Sequence, residues 1–121
     1  MKTLKFPKAK LKKLIDTLIS IKVRERGKCE RCGKVYGLQA AHIVPRNNMA
    51  VRWYEKNLLC LCSGCHMFFA HQQVIEFAEF VKQFLGEEEY DKLRLKARYL
   101  KRWSYDEMLV LYYALKKNKW G

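Results

Sequence analysis

Two cysteine pairs, Cys29-Glu-Arg-Cys32 and Cys62-Ser-Gly-Cys65, constrain this chain more than any other feature. Each is a tight CxxC knuckle, and together they offer four thiolates, the soft donor set of a closed tetrahedral zinc site. A redox dithiol needs only one such pair, and paired CxxC motifs in a cytosolic chain argue for metal rather than disulfides. A structural Zn2+ is therefore expected, its binding free energy doubling as folding free energy. The 29 residues between the pairs (33–61) exceed the spacing of a simple zinc ribbon. A functional segment is therefore inserted between the knuckles. Cys60, the fifth cysteine, is read as a buried apolar residue facing away from the zinc ligands.

The chain has 121 residues, enough for one domain, and half of them are hydrophobic, including six Phe, seven Tyr and three Trp. That composition supports a core and excludes a disordered basic tail. The N-terminal stretch carries lysines through its apolar positions, so neither a signal peptide nor a membrane span is expected, and a cytoplasmic location is the default. The net charge is +13, from 25 basic and 12 acidic residues. Such a surplus favours polyanions, nucleic acids above all. Residues 1–28 hold ten basic and two acidic residues, which makes this segment the expected basic helical arm, with Lys10, Lys12 and Lys13 as candidate phosphate contacts.

Hydrophobic periodicity supplies the elements. Leu11, Leu14, Ile15, Leu18 and Ile19 form one stripe, predicting a helix from about Lys8 to Arg24. Leu58 to Leu61 reads as a short strand leading into the second knuckle. His66 opens a helix expected to run to about Leu85, stopped by Gly86. A further helix is expected over Glu87 to about Arg102, with acidic residues in its first turn. Ser104-Tyr-Asp-Glu107 is a capping-box signature for a last helix reaching about Lys117. The expected class is α+β: a ββα-like centre with one N-terminal and about three C-terminal helices.

The inserted segment carries Ala41-His42-Ile43-Val44-Pro45-Arg46, then Asn57 before the strand, then Cys65-His66 at the helix start. In this pattern, framed by two CxxC pairs, the chain resembles the HNH, or ββα-metal, endonuclease family from about Cys29 to His71. The resemblance implies a general base at His42 and a divalent-metal ligand at His66. It also implies that Asn57 either fixes the loop carrying His42 or gives an oxygen to the metal. Arg46 and Arg52 become candidate phosphate contacts. The catalytic ion would be Mg2+, Mn2+ or another divalent cation, and the substrate double-stranded or branched DNA. A homodimer would offer two sites for two strands. Most members carry Asp, Glu or His just before the base, where this chain has Ala41. The metal shell would then have to come from His66, Asn57, His71 and substrate oxygens, with a surface or helix-packing role the alternative for His71. Five residues after His66, it lies about 140° round an ideal α-helix and joins the site only where the first turn departs from α geometry.

Residues 52–57, Arg-Trp-Tyr-Glu-Lys-Asn, and residues 84–93, Phe-Leu-Gly-Glu-Glu-Glu-Tyr-Asp-Lys-Leu, are also similar to phage recombination proteins of the NinG type. On this reading residues 1–121 form one domain, with the arm at 1–28, the zinc-bracketed core at 29–71 and a helical extension at 72–121. Two other readings stay open: a zinc-stapled DNA-binding module without cleavage activity, and an RNA substrate.

Overall fold

A computed structural model describes residues 7–120. Residues 1–6, part of the expected basic arm, and Gly121 lie outside the described residues. The elements follow in the order α1 (Lys8–Arg24), β1 (Leu38–His42), a 3-10 turn (Glu55–Asn57), β2 (Leu58–Cys62), a π-helical segment (Cys65–Ala70), α2 (Val74–Leu85), α3 (Glu87–Ala97) and α4 (Tyr105–Lys116). The class is α+β, with a small sheet among helices.

β1 and β2 pair antiparallel, with Leu38 opposite Cys62, Ala40 opposite Cys60 and His42 opposite Leu58. All five residues of β2 are buried because both of its faces are covered. Leu58 and Cys60 join a core with Leu11, Ile15 and Ile19 of α1 and Met108, Leu109 and Leu115 of α4. Leu59 and Leu61 face the other way, into a second core with Ala41, Phe69, Phe77 and Val81. Strict alternation would place Cys60 and Cys62 on one face. They separate nonetheless: Cys60 packs in the first core, whereas Cys62, the last strand residue, groups with Cys29 and Cys65 in the second.

α1 is a core element, and its lysines are the outer face of that element. Leu11, Ile15, Ile19 and Val23 are buried, each about one turn after the last, and pack toward α4. The capping box of α4 forms as read: Ser104 accepts from the Glu107 N–H, and the Glu107 carboxylate accepts from the Ser104 N–H. Indole N–H groups pin the intervening loops. Trp103 donates to the Met49 carbonyl at 2.9 Å and Trp120 to the Trp53 carbonyl at 2.8 Å.

Two helices differ from expectation. The long helix from His66 is broken into the π-helical segment, a turn and α2. Phe69 belongs to the π-helical segment and Phe77 to α2. Both reach the second core, where their rings meet edge-on at 5.8 Å. The next helix ends at Ala97 rather than near Arg102. Its last carbonyl is capped by the Asn48 side-chain amide at 2.9 Å, and the chain then turns to seat Trp103 against Trp53. Gly86, at φ 84°, makes the corner between α2 and α3 that a side chain would strain.

Because α1 anchors the first core, Ile15→Ala should lower stability by about 2–5 kcal/mol. Urea unfolding of the zinc-loaded protein measures it; a change below 1 kcal/mol, on the order of a surface substitution, would contradict this packing.

Candidate active site and metal centre

The two knuckles converge. The sulfurs of Cys29, Cys32, Cys62 and Cys65 all lie within 4.8 Å of one another, and those of Cys32 and Cys62 are 3.6 Å apart. Zinc–thiolate bonds of about 2.3 Å in a tetrahedron require sulfur separations of about 3.8 Å, so the cluster fits that ion. Each knuckle turns one backbone amide onto its first thiol: Cys32 N–H to Cys29 Sγ at 3.5 Å, and Cys65 N–H to Cys62 Sγ at 3.4 Å. Gly33 takes φ 82° to close the first of them.

The thiol acidities show why a cation belongs there. Burial raises the Cys29 thiol, but backbone contacts from Cys32, Cys62 and Arg31 outweigh it and bring the pKa to about 6. Burial pushes Cys65 up to about 12; Arg31 opposes this, and the neighbouring cysteines add to it. Without a cation the four thiols cannot all ionise together. The Arg31 guanidinium lies 3.5 Å from Cys65 Sγ and stacks 3.6 Å over the Phe69 ring. With four protein donors the centre is a closed, zinc-type structural site, open to no substrate.

A cleft of about 940 Å³ opens beside it, lined by Asp16, Ser20 and Arg24 of α1, by His42 and Arg46, and by His66 and His71. His42 closes β1 and is half-buried. Its Nε2 lies 3.0 Å from the Arg52 carbonyl, which can only accept, so Nε2 carries the proton and Nδ1 the lone pair. Burial lowers its pKa below 6.5; the Arg52 carbonyl opposes this, and the charges of Arg46 and Arg52 reinforce it.

Asn57 is fully buried, and three hydrogen bonds hold its side chain. Its Oδ1 accepts the Val44 N–H at 2.7 Å, while its amide nitrogen donates to the carbonyls of Val44 (3.1 Å) and Val51 (3.0 Å). These bonds pin the loop after His42, and full burial keeps Asn57 out of the cleft lining.

His66 and His71 meet. The π-helical segment repeats its hydrogen bonds at i to i+5, so residues five apart share a face. The two rings lie edge-on with centroids 4.7 Å apart. His66 Nδ1 is 2.7 Å from Gln39 Oε1, so Nδ1 donates and Nε2 is left with the lone pair. Burial lowers the His66 pKa, and the neighbouring His71 lowers it further. Gln39, unmarked in the sequence, thus sets the His66 tautomer. Ala41 is 1 % exposed and packs in the second core, away from solvent.

Arg52, expected at the nucleic-acid face, is instead buried. Its Nε and one terminal nitrogen donate to Asp16, at 3.1 and 2.5 Å, and the other donates to the Arg46 carbonyl at 3.1 Å. Three of its five N–H groups are thus committed and its side chain is only 8 % exposed, so it presents little to a phosphate. Arg46 keeps an exposed side chain at the cleft, touching Asp16 at 3.2 Å. Lys10 and Lys13 lie on the exposed side of α1, with Lys12 partly covered. Asp16 itself was hidden in the sequence by the surrounding lysines. Among the described residues, no helix is long and apolar enough to cross a membrane.

A family model described as HNH endonuclease matches residues 29–75. The HNH likeness therefore holds over the zinc-bracketed segment and through the paired histidines, and supports a nuclease-type function. No curated protein and no solved structure matches the chain, and the likeness to NinG-type proteins finds no support in these comparisons.

The purified protein should retain about one zinc per chain through dialysis. Because binding and folding free energy are linked, a strong chelator should remove the ion with loss of helical circular dichroism, restored on adding Zn2+. An unchanged spectrum after complete removal would show that the cluster is not structural.

Proposed function

We propose that this chain, HNH-type over residues 29–75, is a metal-dependent endonuclease hydrolysing phosphodiester bonds of DNA. The observation that carries the reading is the state of His42. Its Nε2–H is committed to a backbone carbonyl, and its depressed pKa keeps the ring neutral near pH 7. That leaves Nδ1 as a proton acceptor on a ring lining the cleft.

In this reading His42 Nδ1 takes a proton from the attacking water, which forms the new bond to phosphorus as the bond to the 3′ oxygen breaks. The products carry a 5′ phosphate and a 3′ hydroxyl. Arg46 clamps a phosphate oxygen. Asn57 acts as a positioning residue, holding the 43–51 loop. His66 Nε2 and His71 are the residues to hold a divalent ion such as Mg2+ or Mn2+, with Gln39 orienting His66. Such an ion, when bound, supplies Lewis-acid stabilisation of charge on the phosphate and the leaving oxygen. Lys10, Lys12 and Lys13 add sequence-independent, salt-sensitive affinity. Double-stranded DNA is the first substrate to test and branched DNA the second; a homodimer would present two sites to the two strands.

One observation favours a second reading, a zinc-stapled DNA-binding module without cleavage. Ala41 replaces the usual ligand and is buried, and among the described residues only the four cysteines form a cluster of three or more metal-binding groups.

Plasmid nicking with Mg2+ or Mn2+ decides between them. The wild type should nick, and His42→Ala should be slower by about 100-fold or more. Equal cutting by both would remove His42 from its role. Salt-sensitive binding with no cutting under any divalent ion would establish the second reading. The pH dependence carries a sign. The base must be neutral, so the rate should rise with pH through a midpoint below 6.5, the ordinary histidine value. Arg46→Ala, by removing a charge that lowers the His42 pKa, should move that midpoint upward. A downward shift would contradict the electrostatics.

A further inference from the structure

We propose that Asp16 on α1 is the positioning residue of the His42 site: its carboxylate fixes the Arg52–Trp53 peptide, whose carbonyl sets the tautomer and orientation of the imidazole. The catalytic meaning of this role rests on His42 being the base; the structural role does not.

The geometry is specific. Asp16 accepts from Arg52 Nε at 3.1 Å and from an Arg52 terminal nitrogen at 2.5 Å. It also accepts from Trp53 Nε1 at 2.7 Å and from Arg46 at 3.2 Å. A carboxylate has about four lone-pair directions, and all are used, so Asp16 is no metal ligand although it lines the cleft. Arg52 and Trp53 are adjacent in the chain, and both side chains end on this one carboxylate. The peptide between them is therefore held at both ends and cannot rotate without breaking those bonds. That peptide carries the Arg52 carbonyl, the acceptor for His42 Nε2 at 3.0 Å. The Trp53 carbonyl, one residue on, is held in turn by the Trp120 indole at 2.8 Å.

Fixing a geometry suits such a network better than supplying stability does. A buried ion pair gains little net free energy over apolar packing, because desolvation offsets the attraction. A bidentate guanidinium fork on a carboxylate is, however, directionally strict. Burial acts to raise the Asp16 pKa, but hydrogen bonds from Arg52 and Trp53 and the two arginine charges outweigh it, so the group stays ionised.

The test reads the imidazole directly, independently of cleavage. The zinc-loaded full chain, labelled with 15N-histidine, contains three histidines, so the His42 resonances are assigned by His42→Ala. In the wild type the Nε2–H tautomer should dominate, with slow exchange of its proton. Asp16→Asn should speed that exchange at least ten-fold and populate the Nδ1–H form, at unchanged zinc content. Compared well above the histidine midpoint, where the ring is neutral in both proteins, Arg46→Ala should keep the Nε2–H tautomer and its slow exchange, since Arg46 does not hold the 52–53 peptide. Exchange in Asp16→Asn within two-fold of wild type, with zinc retained, would overturn the proposal. So would an Arg46→Ala variant that reproduces the Asp16→Asn effect. Should Asp16→Asn fail to fold, Trp53→Phe removes one of the four bonds; it should speed exchange by a smaller factor, and an unchanged rate there would be equally fatal. If the wild type cuts DNA, Asp16→Asn should also lower kcat at least ten-fold; if it cuts nothing, the exchange result still decides the role of Asp16.

Discussion

Four thiols gathered within 4.8 Å of one another set the constraint on which the rest depends. Close packing of ionisable sulfurs is repulsive until a cation neutralises them, and then it joins segments far apart in the chain. Here it joins the turn after α1 to the end of β2 and the start of the π-helical segment. A two-stranded sheet alone is marginal in water. This one is reinforced beside the metal centre, where Glu30 binds the backbone of Cys60 twice, its N–H to the carbonyl and its carboxylate to the N–H, both at 2.7 Å. Arg26 ties the same carboxylate to the Leu58 carbonyl. The knuckle is thus tied to the edge of β2, the strand that pairs with the one ending at His42 and leads into the segment carrying His66.

α1 unites two roles that the charge pattern alone would separate. Its lysines suggested an arm laid over DNA, yet its apolar stripe is part of the core and its one carboxylate organises the cleft. Removing the segment to test for DNA affinity would remove both. Lysine substitutions on the exposed side probe the electrostatics without that confusion.

Much of this was legible in the sequence, because its signals are local. CxxC spacing, the His42-Ile-Val-Pro run, Asn57 before a strand and Cys65-His66 are short patterns whose chemistry follows from neighbours in the chain. The helix stripes and the Ser104–Glu107 box are local as well. What stayed hidden depends on partners far away. Arg52 reads as a surface cation until Asp16, 36 residues earlier, is found to hold it. Gln39 is unremarkable until His66 folds onto it, 27 residues later. The π-helical turn was hidden for another reason: apolar residues at 69 and 77, eight apart, fit the stripe of a continuous α-helix, so the spacing gives no sign of a break.

That π-helical turn bears on the chemistry that Ala41 leaves in question. An α-helix would carry His66 and His71 to different faces, and the alanine would then leave a lone imidazole. With i to i+5 bonding the two rings adjoin, so this chain offers a pair of imidazoles on one face. Two imidazoles and no carboxylate form a softer and less charged set than Mg2+ prefers, since Mg2+ takes oxygen ligands and keeps much of its water. Nitrogen donors suit transition ions better. In the proposed reading the negative charge needed to hold a dication then comes largely from the phosphate itself, which couples metal affinity to DNA binding. The site would load its ion in the presence of substrate, and a metal titration without DNA would understate it.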